Sequence, residues 1–390
     1  MNMDTSQFHK VIFSWWREHG RVLPWREKSQ RSVISDQLSE ISIHTSVRER
    51  AFDSYFAGGM QRDPYRVIVS ELMLQQTQVD RVLPKYEAWM EKWPTVQDLA
   101  KAELAEVITE WKGLGYNRRA RFLWLLAQEI VNRKENPTSS QLSLGLREAG
   151  WPTTEEELIK LPGIGKYTAR ALMSFAFGQQ VGVVDTNVKR VLGRWLGMSF
   201  PRKRESRKSQ IDPGFSSFLL DLQSGIHARV RDDKVVREID FFNLADSLLP
   251  EGLSDPWNQA LMDFGALICT AKNPKCEVCP VQDLCKANLI AREEGFENYS
   301  QYIKLQETSN KKQTKRGKDR GLKFKETDRY IRGRIIDLLR EKEWTMRGLL
   351  HELSRRFKLQ DKLRNTKLIG KLMDEKLIVV VGEKVRFGDS

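Results

Sequence analysis

The sequence predicts a mainly α-helical protein that ends in a small α+β domain. Apolar residues recur at helical spacing through 64–197 and again through 236–268. The segment 327–390 differs, because it predicts three helices and then a β-hairpin over 378–387 with a glycine in its turn. Three helices followed by a hairpin are typical of a winged-helix domain.

Composition excludes several classes of protein. The chain has 390 residues, of which 40% are hydrophobic, so it can build a core and is long enough for two or three domains. No apolar run approaches the roughly 20 residues that cross a bilayer, and no secretory signal is present, so we expect a cytoplasmic protein. The formal charge of +13 predicts a polyanionic partner, with nucleic acid ahead of a membrane surface.

Two segments interrupt the helical pattern. An amphipathic helix over 6–20 opens the chain, and the polar segment 30–62 that follows it has no sustained period. The segment 198–234 is rich in arginine and lysine. We interpret both as insertions, which surface loops tolerate at low entropic cost. For the second segment, the alternative is that its basic run contacts DNA.

The chain is predicted to divide into a two-lobed region and a tail. The two-lobed region is 1–295, its lobes are 64–197 and 1–29 with 235–295, and the tail consists of a linker, 308–326, and the terminal domain, 327–390. The linker is strongly basic, with eight lysines and arginines against one acid over 308–325.

All four cysteines lie within a short stretch. They are Cys269, Cys276, Cys279 and Cys285, with six, two and five residues between successive members. In a cytoplasmic chain this clustering favours a metal or cluster site over disulfides. Four thiolates suit a tetrahedral zinc ion or a [4Fe–4S] cluster, and the spacing by itself leaves both open.

A glycine-containing turn lies between two predicted helices within 153–175. The turn contains Gly163 and Gly165, and Lys166 begins the second helix. Backbone N–H groups that such a turn leaves free, together with the helix dipole, suit a DNA phosphate. The alternative is an ordinary turn between helices.

Two acidic residues stand beside apolar runs. Asp185 follows Val183 and Val184, where a helix N-cap is its commonest role. Glu71 lies among apolar residues, where burial would favour its protonated form. It could also merely cap a helix.

Four features in this order resemble the helix-hairpin-helix DNA glycosylases that include endonuclease III. They are Ser70–Gln78, Leu161–Ala169, Val183–Val188 and the cysteine spacing. Within that superfamily, similarity to the A/G-specific adenine DNA glycosylase (MutY) family is carried by Glu71–Val79, Gly113–Tyr116 and Trp257–Ala266. The resemblance covers about 1–29, 63–197 and 236–290. It implies a two-lobed helix-hairpin-helix glycosylase fold whose cysteines hold a [4Fe–4S] cluster.

The resemblance also implies a catalytic pair. Cleavage of an N-glycosidic bond calls for an acid on the side of the base and a carboxylate on the side of the sugar. Glu71 matches the family acid that protonates adenine. Asp185 matches the carboxylate that stabilises the oxocarbenium ion or bonds to it transiently. Asn187 and Tyr167 match residues that support these two groups.

Further matches imply a pocket and a wedge. Trp25, Arg26 and Gln259 match positions that line the adenine pocket. Gln76 and Tyr116 match residues that wedge into the duplex, consistent with side chains that fill a vacated base stack.

The residue at position 167 bears on the reaction type. Relatives with β-lyase activity carry a lysine there, whose amine forms a Schiff base. Tyr167 cannot do so, and Lys166 is expected to project toward a phosphate instead. The resemblance therefore predicts a monofunctional glycosylase that leaves an abasic site.

The implied substrate is adenine opposite G or 8-oxoguanine in double-stranded DNA. We expect a monomer that acts in the cytoplasm, associated with the nucleoid, and binds no membrane. Thr186 and Asn117 stand where the family usually has Gly and Tyr, and the tail does not resemble the Nudix-like domain of the family's long forms. The alternatives are a thymine (T:G) mismatch glycosylase, a non-catalytic DNA-binding relative and an inactive copy.

Overall fold

The structure is a computed structural model that describes residues 5–26, 62–135, 150–197, 226–231, 234–239, 241–304 and 324–388. Nearly all of the predicted insertion 30–62, most of 198–234 and most of the basic linker 308–326 lie outside the described residues.

Helices make up most of the described chain. They are α1 (Thr5–His19), α2 (Pro64–Leu74), α3 (Val79–Lys92), α4 (Val96–Lys101), α5 (Leu104–Glu110), α6 (Arg118–Glu135), α7 (Glu155–Leu158), α8 (Lys166–Phe175), α9 (Thr186–Trp195), α10 (Phe241–Ser247), α11 (Ser254–Leu267), α12 (Lys286–Glu293), α13 (Asp328–Glu341), α14 (Met346–Phe357) and α15 (Lys362–Asp374). None of these helices combines the length and the hydropathy that a bilayer crossing requires.

One pair of strands was not expected. Strands β1 (Ile226–Arg231) and β2 (Lys234–Ile239) pair antiparallel, with Ile226 opposite Ile239. The prediction of helix from residue 236 is therefore wrong up to Ile239, and helix begins at Phe241. Adjacent β-branched residues such as Val235 and Val236 favour a strand over a helix.

The chain separates into two compact units that interleave in sequence. Unit 1 comprises Met1–Val67 and Lys166–Arg316, and unit 2 comprises Ile68–Gly165 and Gly317–Ser390. Helices α8 and α9, which the predicted lobe 64–197 includes, group with the cysteine segment in unit 1. The C-terminal segment groups with the helices that precede residue 165.

Helices α1, α9 and α11 build the core of unit 1. The ring of Phe8 stacks on Trp195 at 3.9 Å between centroids and meets Trp257 edge-on at 5.7 Å. At one crossing, a Cβ on Gly265 would lie 2.6 Å from the Cβ of Asn187. Only glycine permits so close an approach, and α11 therefore fixes the position of the first turn of α9.

Buried tryptophans organise the helical part of unit 2. Trp89 meets Trp93 and Trp111 edge-on, with centroids 4.7 and 5.5 Å apart. The indole N–H of Trp124 donates to the carbonyl of Ala102 at 2.8 Å, which ties α6 to the end of α4. Such edge-on pairs and satisfied indole groups give a specific, rigid scaffold for the loops that follow α2 and α5.

The tail of unit 2 has the predicted winged-helix pattern. Helices α13, α14 and α15 accompany an antiparallel sheet of order β3-β5-β4. Strand β3 (Trp344–Thr345) lies between α13 and α14, and strands β4 (Ile378–Val381) and β5 (Lys384–Phe387) form the hairpin after α15. Apolar side chains of all three helices are buried, among them Ile335, Leu349 and Leu368. Gly382 adopts φ +60° in the hairpin turn, where glycine carries no steric penalty. The expected helices and hairpin are confirmed.

Candidate functional site

Asp185 lies at the N-cap of α9. Its Oδ1 accepts the backbone N–H of Val188 at 2.7 Å, and its Oδ2 accepts the side-chain N–H of Asn187 at 2.7 Å. Burial nevertheless raises the pKa of this carboxyl above its usual value, although both hydrogen bonds lower it. The N-cap role and a chemical role are therefore compatible, because the bonds orient the carboxylate while burial leaves its charge poorly solvated.

Asn187 is itself held by an arginine that the sequence analysis missed. The Nη2 of Arg190 donates to the amide oxygen of Asn187 at 2.7 Å and to the carbonyl of Gly265 at 2.6 Å. The Nε of Arg190 donates to the carbonyl of Cys269 at 2.7 Å. A continuous chain of hydrogen bonds thus runs from the backbone of the first cysteine to Asp185. Its only sequence signal was an arginine one turn after the N-cap.

The extended segment that leads into Asp185 is held on both edges by polar side chains. The amide oxygen of Asn258 accepts the N–H of Val183 at 2.9 Å. The N–H of Gly182 donates to Asp246 at 2.6 Å, while the Nε of Arg170 donates to the carbonyl of Gly182 at 2.7 Å. Arg170 also pairs with Asp246. These contacts stabilise one conformation of the segment, because any shift would leave buried polar groups unpaired.

The predicted pocket residues Trp25, Arg26 and Gln259 are all buried in unit 1. The guanidinium of Arg26 binds both carboxylate oxygens of Asp263, at 2.7 and 2.8 Å. The Nε of Arg21 adds a third bond to Asp263, at 2.8 Å. Arg26 therefore has an evident structural partner, and its contact with adenine stays a prediction.

Asp263 is the charged centre of this cluster, and its side chain is fully buried. Burial raises its pKa, but the Arg26 and Arg21 guanidinium groups outweigh that effect and hold the pKa well below the usual range. Since the unfolded carboxyl has a pKa near ~3.9, the unfolded state binds more protons below that pH. The stability that Asp263 supplies is thus fully present above about pH 5 and is lost as the pH falls below ~4.

We expect Asp263→Asn to lower the free energy of unfolding by about 3–5 kcal/mol at pH 7.5, because two buried arginines lose their counterion. The difference from the wild type should narrow below pH ~4. Urea unfolding at both pH values measures it. Asp283→Asn is the matched control, because Asp283 forms an exposed pair with Arg292 at 2.9 Å and should matter by less than ~1 kcal/mol. Equal effects of the two substitutions at pH 7.5 would contradict the prediction.

Glu71 belongs to unit 2 and lies in α2 with 8% of its surface exposed. Its neighbours Leu72 and Met73 are fully buried. Tyr167, in contrast, belongs to unit 1 and is half-buried near the start of α8. The structure thus shows Glu71 buried, and its protonation and its role as the acid stay predictions.

The two predicted wedge residues share an unusual backbone. Gln76 and Tyr116 adopt φ +56° and +48°, a left-handed conformation that side chains other than glycine rarely take. Both side chains are exposed, and Tyr116 keeps 42% of its surface accessible. Strained, exposed residues held by a rigid scaffold are common at functional sites.

A single buried arginine holds both wedge loops. The Nη1 of Arg119 donates to the carbonyls of Met73 and Gln75, at 3.1 and 2.7 Å, beside the Gln76 loop. Its Nη2 donates to the carbonyls of Leu114 and Gly115, both at 3.1 Å, beside the Tyr116 loop. One guanidinium therefore sets the spacing between the two predicted wedges, which sequence reasoning did not anticipate.

The glycine turn after α7 contains two different kinds of glycine. Gly163 has φ +77°, and a Cβ there would lie 2.7 Å from the Cβ of Phe122. Gly165 is exposed, and apart from its own atoms and those of its two chain neighbours no atom of the described chain lies within 4 Å of the place of its Cβ. The ammonium of Lys166 lies 4.6 Å from the ring centroid of Phe242. Gly163 is therefore required by packing, whereas Gly165 leaves its backbone open to an approaching group.

The four cysteines line one cavity in unit 1. Burial and the charges of neighbouring cysteines raise the pKa of the Cys285 thiol to about 12, and burial also raises those of Cys276 and Cys279. The Nη1 of Arg194 lies 3.4 Å from the Sγ of Cys269. Buried thiols that ionise with difficulty become thiolates when a cationic centre binds them, so this donor set fits a metal cluster.

Comparison with known families agrees with this chemistry. Residues 69–211 match the HhH-GPD superfamily of base excision DNA repair proteins, and residues 269–285 match the iron-sulfur binding domain of endonuclease III. The expected fold class and [4Fe–4S] cluster are thereby confirmed. A solved structure of a thermostable thymine-DNA glycosylase is 26% identical, with a TM-score of 0.47, over 72% of this chain and 95% of that chain.

Curated relatives are adenine DNA glycosylases. The protein of Homo sapiens is 36% identical over 75% of this chain and 41% of its own length, so this chain spans less than half of that relative. The protein of Mycolicibacterium smegmatis is 32% identical over 71% of this chain and 72% of its own length. That of Mycobacterium tuberculosis H37Rv is 30% identical over 85% and 78%, respectively. This chain therefore belongs to the adenine DNA glycosylase (MutY) family of the HhH-GPD superfamily.

Proposed function

We propose that this chain is a DNA glycosylase that removes adenine mispaired with G or 8-oxoguanine by hydrolysing the N-glycosidic bond. The observation that carries the proposal is the Asp185 carboxylate, oriented by Val188 and Asn187 and raised in pKa by burial. Curated relatives that carry the name adenine DNA glycosylase support the choice of base.

The reaction develops opposite charges on the sugar and on the departing base. An enzyme that acts on a base first extrudes it from the duplex into a pocket. As the bond to the sugar lengthens, positive charge develops on the sugar and negative charge on the departing base. Asp185 stabilises the positive charge, because a poorly solvated carboxylate interacts strongly with a nearby cation. Asn187 and Arg190 keep its oxygens aimed at one place throughout.

Glu71 supplies the proton on the other side. Its buried position in α2 favours the protonated carboxyl. It protonates the departing adenine, which leaves as a neutral base instead of an anion. A water molecule then completes the hydrolysis at the sugar.

Tyr167 determines whether base removal is followed by cleavage of the strand. A phenol cannot form a Schiff base with the sugar, as the amine of a lysine does. The neighbouring Lys166 has its ammonium over the ring of Phe242. The product is therefore an intact strand with an abasic site.

The cysteines serve the reaction indirectly. Cys269, Cys276, Cys279 and Cys285 would hold the [4Fe–4S] cluster, which fixes the fold of its loop when bound. The chain's own contribution is the bond from the Cys269 carbonyl to Arg190, which anchors the support of Asp185 to that loop.

The partner is double-stranded DNA that contains a mismatched or oxidised pair, bound by a monomer. The net charge of +13 favours attraction to the polyanion. The open backbone at Gly165 suits a phosphate, since N–H groups at the start of a helix bind anions. The protein then acts where the DNA lies, associated with the nucleoid.

Substitutions at the two glycines of the turn are expected to affect different properties, stability at Gly163 and DNA binding at Gly165. Gly163→Ala should lower the free energy of unfolding by about 1–3 kcal/mol, because it combines a positive φ with a clash against Phe122. Gly165→Ala should leave stability unchanged and weaken binding to duplex DNA. Urea unfolding and fluorescence anisotropy measure the two effects. Equal DNA affinity of Gly165→Ala and wild type would rule out a phosphate at this turn.

The proposed function is tested by single-turnover excision on duplexes that contain A:8-oxoguanine, A:G or T:G. We expect release of adenine, with strands that break only after treatment with alkali. Glu71→Gln should abolish the release while it preserves binding. Excision of thymine from T:G would identify the protein as a thymine mismatch glycosylase instead. Binding without any excision would identify it as a non-catalytic relative.

A further inference from the structure

The C-terminal domain is attached to the loop that carries Tyr116. The Nη2 of Arg340, on α13, donates to the carbonyl of Ile108 at 2.9 Å and to the amide oxygen of Asn117 at 3.3 Å. Asn117 is the position where the family usually has tyrosine, and its amide here serves as an acceptor for the tail. Arg340, Ile108 and Asn117 all belong to unit 2 and lie among the residues that the structure describes.

A second arginine of α13 lies on the wedge itself. The guanidinium carbon of Arg329 is 4.3 Å from the centroid of the Tyr116 ring. A Cβ on Gly115 would lie 3.5 Å from its Nη2. Tyr116 nevertheless keeps 42% of its surface exposed, so Arg329 lies against the wedge without covering it.

Arg329 differs from the other arginines of its helix. Arg332 pairs with Glu375, whereas Arg334 and Arg340 both pair with Asp337. Arg329 is exposed, and it pairs with no carboxylate among the residues that the structure describes. Of the four arginines on α13, the one without a described counterion is thus the one at Tyr116.

Positive charge accumulates around this ring. The guanidinium of Arg119 also approaches Tyr116, at 5.6 Å from the centroid. Burial lowers the pKa of Arg119 to about 10, Tyr116 raises it and the charge of Arg329 lowers it further. Arg118, which directly precedes Arg119, is exposed, and its guanidinium lies over the ring of Phe122. Like charges placed together without counterions are stabilised when a polyanion binds.

We infer that α13 extends the DNA-binding surface at the wedge, and that Arg329 contacts the duplex beside Tyr116. The inference rests on the proposed function, since a wedge acts only on duplex DNA. A guanidinium donates paired N–H groups either to a phosphate or to the acceptor edge of a guanine-type base. The C-terminal domain thereby becomes part of substrate recognition.

The test compares Arg329→Ala with Arg347→Ala. Arg347 is exposed on α14 of the same domain, so both variants lose one positive charge. The probe is a duplex with 2′-fluoro-2′-deoxyadenosine, which resists excision, placed opposite 8-oxoguanine, G or C. Anisotropy is followed across a salt series. We expect Arg329→Ala to bind about tenfold more weakly with a salt slope lower by about 1, and Arg347→Ala to change affinity by less than about twofold. Arg329→Lys, which keeps the charge, should restore most of the salt slope.

The outcomes separate the possible contacts. An equal loss with all three opposite bases identifies a phosphate, and a loss confined to 8-oxoguanine and G identifies a base edge. Equal behaviour of the two alanine variants would overturn the inference, as would tighter binding by Arg329→Ala, which would mean that Arg329 obstructs the wedge. If the wild type fails to excise adenine, the proposed function fails, yet this binding comparison still decides the role of Arg329. Urea unfolding of each variant checks that the fold is intact.

Discussion

An Asp185→Asn variant is expected to bind mismatched duplex normally and to excise adenine at least about 100–1000-fold more slowly. Asparagine is as good an N-cap as aspartate, so α9 should still begin at Thr186. An amide has one oxygen, however, and cannot accept from both Val188 and Asn187 as the carboxylate does. The variant thus loses the negative charge while the helix is retained. Single-turnover kinetics on A:8-oxoguanine measure the effect.

The pH profile provides a second readout for Asp185. Protonation removes the charge that stabilises the sugar cation, and burial raises the pKa at which protonation occurs. The wild-type rate should therefore fall as the pH drops through that raised pKa, and the variant should lack this decline. Asp80→Asn, an exposed change in the first turn of α3, should leave both rate and profile unchanged. A variant at position 185 that retained a tenth of the wild-type rate would exclude the carboxylate from the chemistry.

Arg119→Met should lower the free energy of unfolding by about 3–5 kcal/mol and largely abolish binding to mismatched duplex. Methionine fills similar space but leaves the carbonyls of Met73, Gln75, Leu114 and Gly115 without their donor. Both wedge loops then lose their shared support. Urea unfolding and anisotropy on an A:8-oxoguanine duplex measure the two losses.

The adjacent arginine gives a matched control. Arg118→Met also removes one guanidinium from α6, but that group is exposed and contacts the ring of Phe122. A cost of about 0.5–1 kcal/mol is expected. Arg119→Lys should fall between the two, because an ammonium cannot reach both loops as a planar fork does. If the two methionine variants had equal stability, Arg119 would not be the support that its hydrogen bonds indicate.

Local sequence patterns predicted the parts of the fold that depend on periodicity. The helices of the tail and the hairpin around Gly382 follow from spacing of apolar residues and from turn chemistry. Threonine before a run of acidic residues is typical of a helix N-cap, and Thr154 accepts the N–H of Glu157 at 3.3 Å. Cysteine spacing marked the metal site, and comparison resolved the identity that spacing had left open.

Long-range polar contacts were beyond such patterns. The bond from Arg190 to the carbonyl of Cys269 joins residues 79 positions apart. The donors of Arg119 reach carbonyls that carry no side-chain signal at all. Arg26 was predicted from the family resemblance to line the adenine pocket, and Lys166 was expected to project toward a phosphate. Both expectations stay predictions, and the contacts of these residues with Asp263 and Phe242 had no sequence signal. Periodicity locates buried faces, but it does not tell which buried group a given arginine meets.

The interleaving of the two units has a consequence for how the protein is made. On the ribosome, residues 68–165 emerge early, yet the rest of their unit follows only after the entire segment 166–316. The carbonyl of Ile108 and the amide of Asn117 therefore have no contact with Arg340 until that residue has been synthesised. Domains usually fold as units while synthesis proceeds, and exposed interfaces favour misassembly. A chain truncated before Arg340 would accordingly lack the donor for Ile108 and Asn117, so unit 2 would be incomplete although its first segment had been made.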